Sequence, residues 1–272
     1  MLFHHLPLPR LLPVPRLLRI PLSGLAFLFF YGGAFVVAFV VLPIKRRRAR
    51  GLSQAARRAD LDQFFLGLYR LMITAWDRLG LMHHRLPDLS HLPPGPRVIV
   101  ANHPSLIDVL FIKACVPGVV VLAKSALFRA PALRQIFEAS GDFEGPDQSQ
   151  QNFGATAVLD IFVAKLNEGR SVLVFPEGTR SPPWRLNRFR RGAAEAAIRG
   201  GVTILPIFVL NDPPTLKKGD KWYDMPARVP RFDLEALPLI DPAGRDSREV
   251  TAELRDLFAA RLEAARIDAR QD

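Results

Sequence analysis

Apolar positions fall into three patterns along the chain. Residues 22–44 run without a charged side chain. As a helix at about 1.5 Å per residue they would extend roughly 34 Å, enough for a hydrocarbon core. Before them, residues 6–21 interleave Pro7, Pro9, Pro13, Pro15 and Pro21 with leucines and Arg10, Arg16 and Arg19, a proline density that predicts an irregular basic arm. After them, residues 61–82 are helix-like and apolar almost all round. Two roles suit that segment: a core helix, or one packed on the first apolar segment with Tyr69 and Trp76 near headgroup level. Pro87, Pro93, Pro94 and Pro96 then mark a linker.

From Arg97 onward, short apolar runs alternate with helical ones. Strands are predicted at 97–101, 119–123, 171–175 and 202–209. Helices are predicted at 126–137, broken near Pro131, and at 154–167, 192–199 and 249–265. The predicted fold is α/β, a mostly parallel sheet flanked by helices, with an N-terminal membrane-inserting helical segment. The expected division is 1–60 for the basic arm and membrane-entering segment, 61–96 for the apolar helix and linker, and 97–272 for the α/β domain.

Charge changes the picture in one respect. The net charge is +11, but residues 1–60 hold 10 Lys/Arg against the single acid Asp60, leaving 27 basic and 25 acidic residues elsewhere. Basicity that flanks an apolar segment suits an anionic membrane and not a nucleic acid. The seven cations between Lys45 and Arg58 predict that the following domain is cytoplasmic. Spanning and re-entrant paths both remain open, with Gly32-Gly33 available for a bend. Cys115 is the only cysteine, which excludes an internal disulfide and a cysteine metal site and suits a small core residue. His4, His5, His83, His84 and His91 lack metal-ligand spacing and read as surface or interface residues.

The candidate chemistry lies at two strand ends. Asn102-His103-Pro104-Ser105-Leu106-Ile107-Asp108 follows the first strand, with Pro104 suited to the first position of a helix. Positions five apart on a helix point about 140° away from each other, so His103 and Asp108 meet only if His103 lies on the turn before it. Phe175-Pro176-Glu177-Gly178-Thr179-Arg180-Ser181 follows the third strand, offering backbone N–H groups, hydroxyls and a guanidinium to an anion.

Together these stretches resemble the glycerolipid acyltransferase family, whose members include the 1-acyl-glycerol-3-phosphate acyltransferases. Asn102, His103 and Asp108 match its Asn-His-four-residues-Asp motif, Pro176 to Ser181 its Pro-Glu-Gly-Thr-Arg-Ser motif, and Ile204-Leu205-Pro206 its late strand. The resemblance covers roughly 97–209. One segment departs: Gly141-Asp142-Phe143-Glu144-Gly145-Pro146-Asp147 lacks the family's arginine and carries three acids.

The resemblance implies transfer of a fatty acyl group from an acyl thioester, acyl-CoA or acyl-carrier protein, to a lysophospholipid hydroxyl. His103 would act as base and Asp108 would orient it, with Arg180 on the acceptor's phosphate and Glu177 ordering the loop. Asn102, Gly178, Thr179, Pro206 and Lys124 complete the candidate binding set, and no metal or cofactor is expected. Lysophosphatidic acid at a bacterial inner membrane is the expected acceptor. An amino-acid-containing lysolipid, or a catalytically silent membrane scaffold, is the alternative. Arg188, Arg190, Arg191, Lys217, Lys218 and Lys221 form two basic clusters, by default solvated, that also suit an acidic carrier protein, a coenzyme's phosphates or the bilayer.

Overall fold

A computed structural model describes residues 14–145 and 155–271. The proline-rich arm before residue 14 lies outside them. Among the described residues seven strands, β1 (His83–Arg85), β2 (Val98–Ala101), β3 (Val120–Ala123), β4 (Phe143–Glu144), β5 (Val172–Val174), β6 (Ile204–Asp212) and β7 (Arg231–Ala236), form one sheet. Their order is β1-β7-β6-β2-β5-β3-β4. Only the β6–β7 pair is antiparallel. The four predicted strands occupy the middle, covered on both faces, which is why they read as unbroken apolar runs. The additional strands lie at the sides: β1 is His-His-Arg, and β4 has two residues.

Alternation along β2 divides the core. Val98 and Val100 pack with helices α7 (Ala155–Asn167), α8 (Gly192–Gly200) and α9 (Ser247–Gln271), while Ile99 and Ala101 face the opposite cluster. That second cluster is built from α4 (Asp108–Cys115), α6 (Pro131–Ser140), α3 (Gln54–Arg78) and the N-terminal helices α1 (Arg16–Val36) and α2 (Leu42–Arg48). A short α5 (Ser125–Phe128) precedes Pro131, which starts α6 at a position where its missing N–H costs nothing. One core therefore crosses the changes of sequence character at residues 60 and 96.

The N-terminal region departs from expectation in one way, its helical start, and selects between open readings in two others. Residues 16–21 are helical despite Pro21, because Pro15 precedes the first turn and Pro21 removes one backbone bond near the helix start. The run Arg16–Arg48 is continuous through Gly32-Gly33, and its one irregularity is a π-turn at Val37–Val41. No reversal of the chain occurs there. Tyr69 lies in the core, not at headgroup level, stacked on Phe65 with the Lys113 ammonium 5.8 Å from its ring.

Ala34, Val37, Ala38 and Leu42 are buried against the domain, whereas Leu25, Leu28, Phe29, Phe35, Val36, Phe39, Val40 and Ile44 form an exposed apolar stripe on the same helix. Near its start, Arg19 is only 1% exposed. Its guanidinium donates to the carbonyls of Pro226 (3.0 Å), Arg228 (3.1 Å) and Ala227. Arg16 Nε donates to Met225 O (2.9 Å) and Ser23 Oγ to Trp222 O (3.2 Å). The helix is thus clasped to the 213–230 loop at one end and to α6 and the core at the other.

Two further expectations change or gain detail. His83 and His84 are half-buried, not surface residues: both face Asp77, at 2.8 Å and 3.3 Å, because β1 pairs with β7 beside the end of α3. Burial lowers the pKa of His84. Cys115 is a buried core thiol, as expected, with its pKa pushed up to about 12 by burial.

Candidate functional site

Parallel strands place the ends of β2, β5 and β3 along one edge of the sheet, and the candidate residues follow those ends. Helix α4 begins at Asp108, not at Pro104. Tertiary bonds hold the intervening backbone out of the helix. The Asn102 amide pairs with Val209, donating to its carbonyl (2.8 Å) and accepting its N–H (2.7 Å). The His103 carbonyl accepts the Ser181 N–H (2.7 Å), and Leu106 N–H donates to Leu216 O (3.0 Å). Asn102 therefore positions the turn, with both ends of its amide occupied by β6.

His103 lies on that turn, and its Nδ1 is 2.9 Å from Asp108 Oδ2. The same carboxylate oxygen accepts the Ser105 N–H at 2.8 Å. A carboxylate partner on Nδ1 assigns the proton to that nitrogen and leaves the Nε2 lone pair available. Asp108 is fully buried, and desolvation raises its pKa; the bond from His103, the Ser105 N–H and the positive field of Arg180 oppose that rise. Phe175 stacks under the imidazole, ring centroids 4.2 Å apart. The ring is thereby fixed on two sides.

The 176–181 loop joins this pair through Glu177. Its Oε1 accepts from the Ser181 hydroxyl (2.5 Å) and from the His103 N–H (3.2 Å), while Oε2 accepts the Asn187 N–H (2.7 Å). Gly178 has φ +69°, the left-handed region open to glycine. Gly178 and Thr179 are exposed, and Arg180 Nη1 donates to Leu216 O (3.0 Å) and Lys217 O (2.7 Å). The histidine, its acid, the glutamate and the arginine are one bonded unit.

Lys124 is exposed at the end of β3, two strands from β2 and so about 10 Å along the same edge. Pro206 is not brought to the site: it is buried mid-strand, paired with Val100, its carbonyl accepting the Leu237 N–H. The two described acids of the departing segment are each paired away from His103. Asp142 turns into the core, 2.8 Å from Lys113 Nζ, Glu144 bonds Ser125 beside Lys124, and Asp147 lies outside the described residues. Sequence reasoning missed Phe175 as the platform for the imidazole, Asn187 as a tether of Glu177, and the carbonyls of Leu216 and Lys217. Only Phe175 had a local signal, its place at a strand end before the loop.

Residues 84–210 match the family model described as Acyltransferase. That match spans nearly half of this chain. The chain is 32% identical over 115 residues to the 1-acyl-sn-glycerol-3-phosphate acyltransferase of Borreliella burgdorferi, covering 42% of this chain and 45% of that protein. It is 26% identical over 182 residues to the human alpha form, covering 66% and 60%. The chain thus aligns with under two thirds of either relative's length. The crystal structure of the 1-acyl-sn-glycerophosphate acyltransferase of Thermotoga maritima superimposes with a TM-score of 0.74 at 21% identity, covering 92% of this chain and 98% of that one. The fold of most of this chain is therefore shared with that protein.

Proposed function

We propose that the protein is a membrane-associated acyltransferase that moves a fatty acyl group from a thioester to lysophosphatidic acid. The observation that carries this reading is the bonding of His103 to both Asp108 and the 176–181 loop, which sets a base beside an anion cradle. His103 Nε2 takes the proton of the acceptor hydroxyl as its oxygen attacks the thioester carbonyl. Asp108 stabilises the resulting imidazolium. Collapse of the tetrahedral intermediate breaks the C–S bond, and the imidazolium returns the proton to the departing thiolate. No acyl-enzyme forms, and the residues require no metal or cofactor for these steps. Arg180 and Lys124 bind the acceptor's phosphate, and either acyl-CoA or acyl-carrier protein serves as donor.

The exposed stripe of α1 and α2 favours insertion into one leaflet. A 33-residue helix held to the domain at both ends suits lying along it better than standing away to cross a bilayer. The basic residues on both flanks suit the anionic cytoplasmic face of a bacterial inner membrane. With Asp142 paired internally, the amino-acid-containing acceptor loses part of its motivation, and it becomes one arm of the test.

Mass spectrometry of products formed from mixed lysolipids and acyl donors should show phosphatidic acid as the main product. A dominant aminolipid product would replace this reading of the acceptor, and no transfer to any lysolipid would favour a silent scaffold. Arg180→Ala should raise the KM for lysophosphatidate roughly tenfold or more, since a charge-assisted contact contributes about 1.5–3 kcal/mol. An unchanged KM in steady-state assays would remove Arg180 from acceptor binding.

A further inference from the structure

A second guanidinium lies against the 176–181 loop. Arg190 N–H donates to Pro176 O at 2.8 Å, so its backbone is tied to the loop's first residue. A Cβ placed on Gly178 would sit 3.1 Å from Arg190 Cζ and 3.3 Å from both Nε and Nη1. Those near-equal distances put the guanidinium face-on against the Gly178 backbone.

The side chain is exposed, and among the described residues it has no hydrogen-bond or ion-pair partner. On the same loop, the N–H groups of Thr179 and Arg180 find no acceptor among the described residues. Fixing an arginine costs up to about 2 kcal/mol of rotamer entropy, and nothing local offsets it. The site just before α8 is also one where a helix dipole disfavours a cation. A phosphate ester would satisfy the guanidinium fork and the free N–H groups together.

We propose that Arg190, with the Thr179 and Arg180 N–H groups, forms a phosphate-ester subsite of the acyltransferase, beyond the contact assigned to the Arg180 side chain. Two sources carry that chemistry: the phosphopantetheine-bearing donor and the phosphomonoester of the acceptor. The inference rests on acyl transfer and not on the choice of acceptor.

The test uses the full chain in detergent micelles, with palmitoyl-CoA as donor and whichever lysolipid the wild type turns over fastest as acceptor. Arg190→Gln should raise one KM about tenfold, keep kcat within twofold and leave the melting temperature unchanged. Arg190→Lys should restore part of the loss, and Arg255→Gln on α9 controls for net charge. A rise confined to palmitoyl-CoA, absent with the phosphate-free thioester S-palmitoyl-N-acetylcysteamine, assigns the subsite to the donor. A rise confined to the acceptor assigns it to the headgroup. Both KM values within twofold of wild type, or an equal rise in Arg255→Gln, would overturn the proposal and leave Arg190 a solvated surface cation. Failure of lysophosphatidate alone as a substrate would overturn the acceptor reading and leave this test intact.

Discussion

Asp108→Asn is expected to lower kcat by about 10³- to 10⁴-fold, the scale seen when a base loses its orienting carboxylate, while melting no lower than wild type. The two effects share one cause. Desolvation raises the pKa of Asp108, so the native state holds its proton more tightly than the unfolded chain does. That contribution to stability is complete below the ordinary aspartate value of about 3.9 and is lost as pH rises through the raised native value. At neutral pH the buried carboxylate therefore costs stability, and its Oδ1 atom has no hydrogen-bond partner among the described residues. The asparagine removes the charge. Any gain in melting temperature over wild type should shrink as pH falls. His103→Ala should show a comparable loss of kcat with vesicle binding intact. Retained turnover in either variant would reduce the pair to a structural contact.

Asp142→Ala is expected to destabilise the protein by about 3–5 kcal/mol, because it strands a buried ammonium. Asp142 Oδ1 accepts from Lys113 Nζ (2.8 Å) and the Val121 N–H (2.9 Å), and Oδ2 from the Ser140 hydroxyl (2.7 Å). Lys113 also donates to Val119 O (3.1 Å), which leaves it with a single acceptor for its three donors once the carboxylate is gone. Thermal melts should fall by roughly 10 °C. At a temperature where the variant stays folded, its acceptor KM should match wild type within twofold. A raised acceptor KM with normal stability would instead place Asp142 at the headgroup.

That contrast shows where sequence stops being legible. Asp142 sits in the segment that departs from the family pattern, and three acids in a row of seven look like a changed site. Its partner Lys113 is 29 positions away, and nothing local announces the pair. The same holds for Arg19, which reads as a headgroup-seeking cation until three loop carbonyls converge on it. The central strands were readable because burial on both faces leaves only apolar residues; β1 offers two histidines and an arginine. The histidine–aspartate pair and the 176–181 loop were readable as motifs. The late start of α4 was not, because contacts with Val209, Ser181 and Leu216 override the helix-starting tendency of Pro104.

The 213–230 loop touches both ends of the molecule's business: Arg16, Arg19 and Ser23 hold residues 222–228, and Arg180 and Leu106 hold residues 216–217. The long apolar helix and the sheet edge that carries His103 consequently share a single strap. Trimming the chain before Lys45 would uncover the face of α6 that packs on α1, strip five carbonyls of their donors and slacken the segment that steadies Arg180. The apolar helix and the His103 edge in this protein are not separable parts.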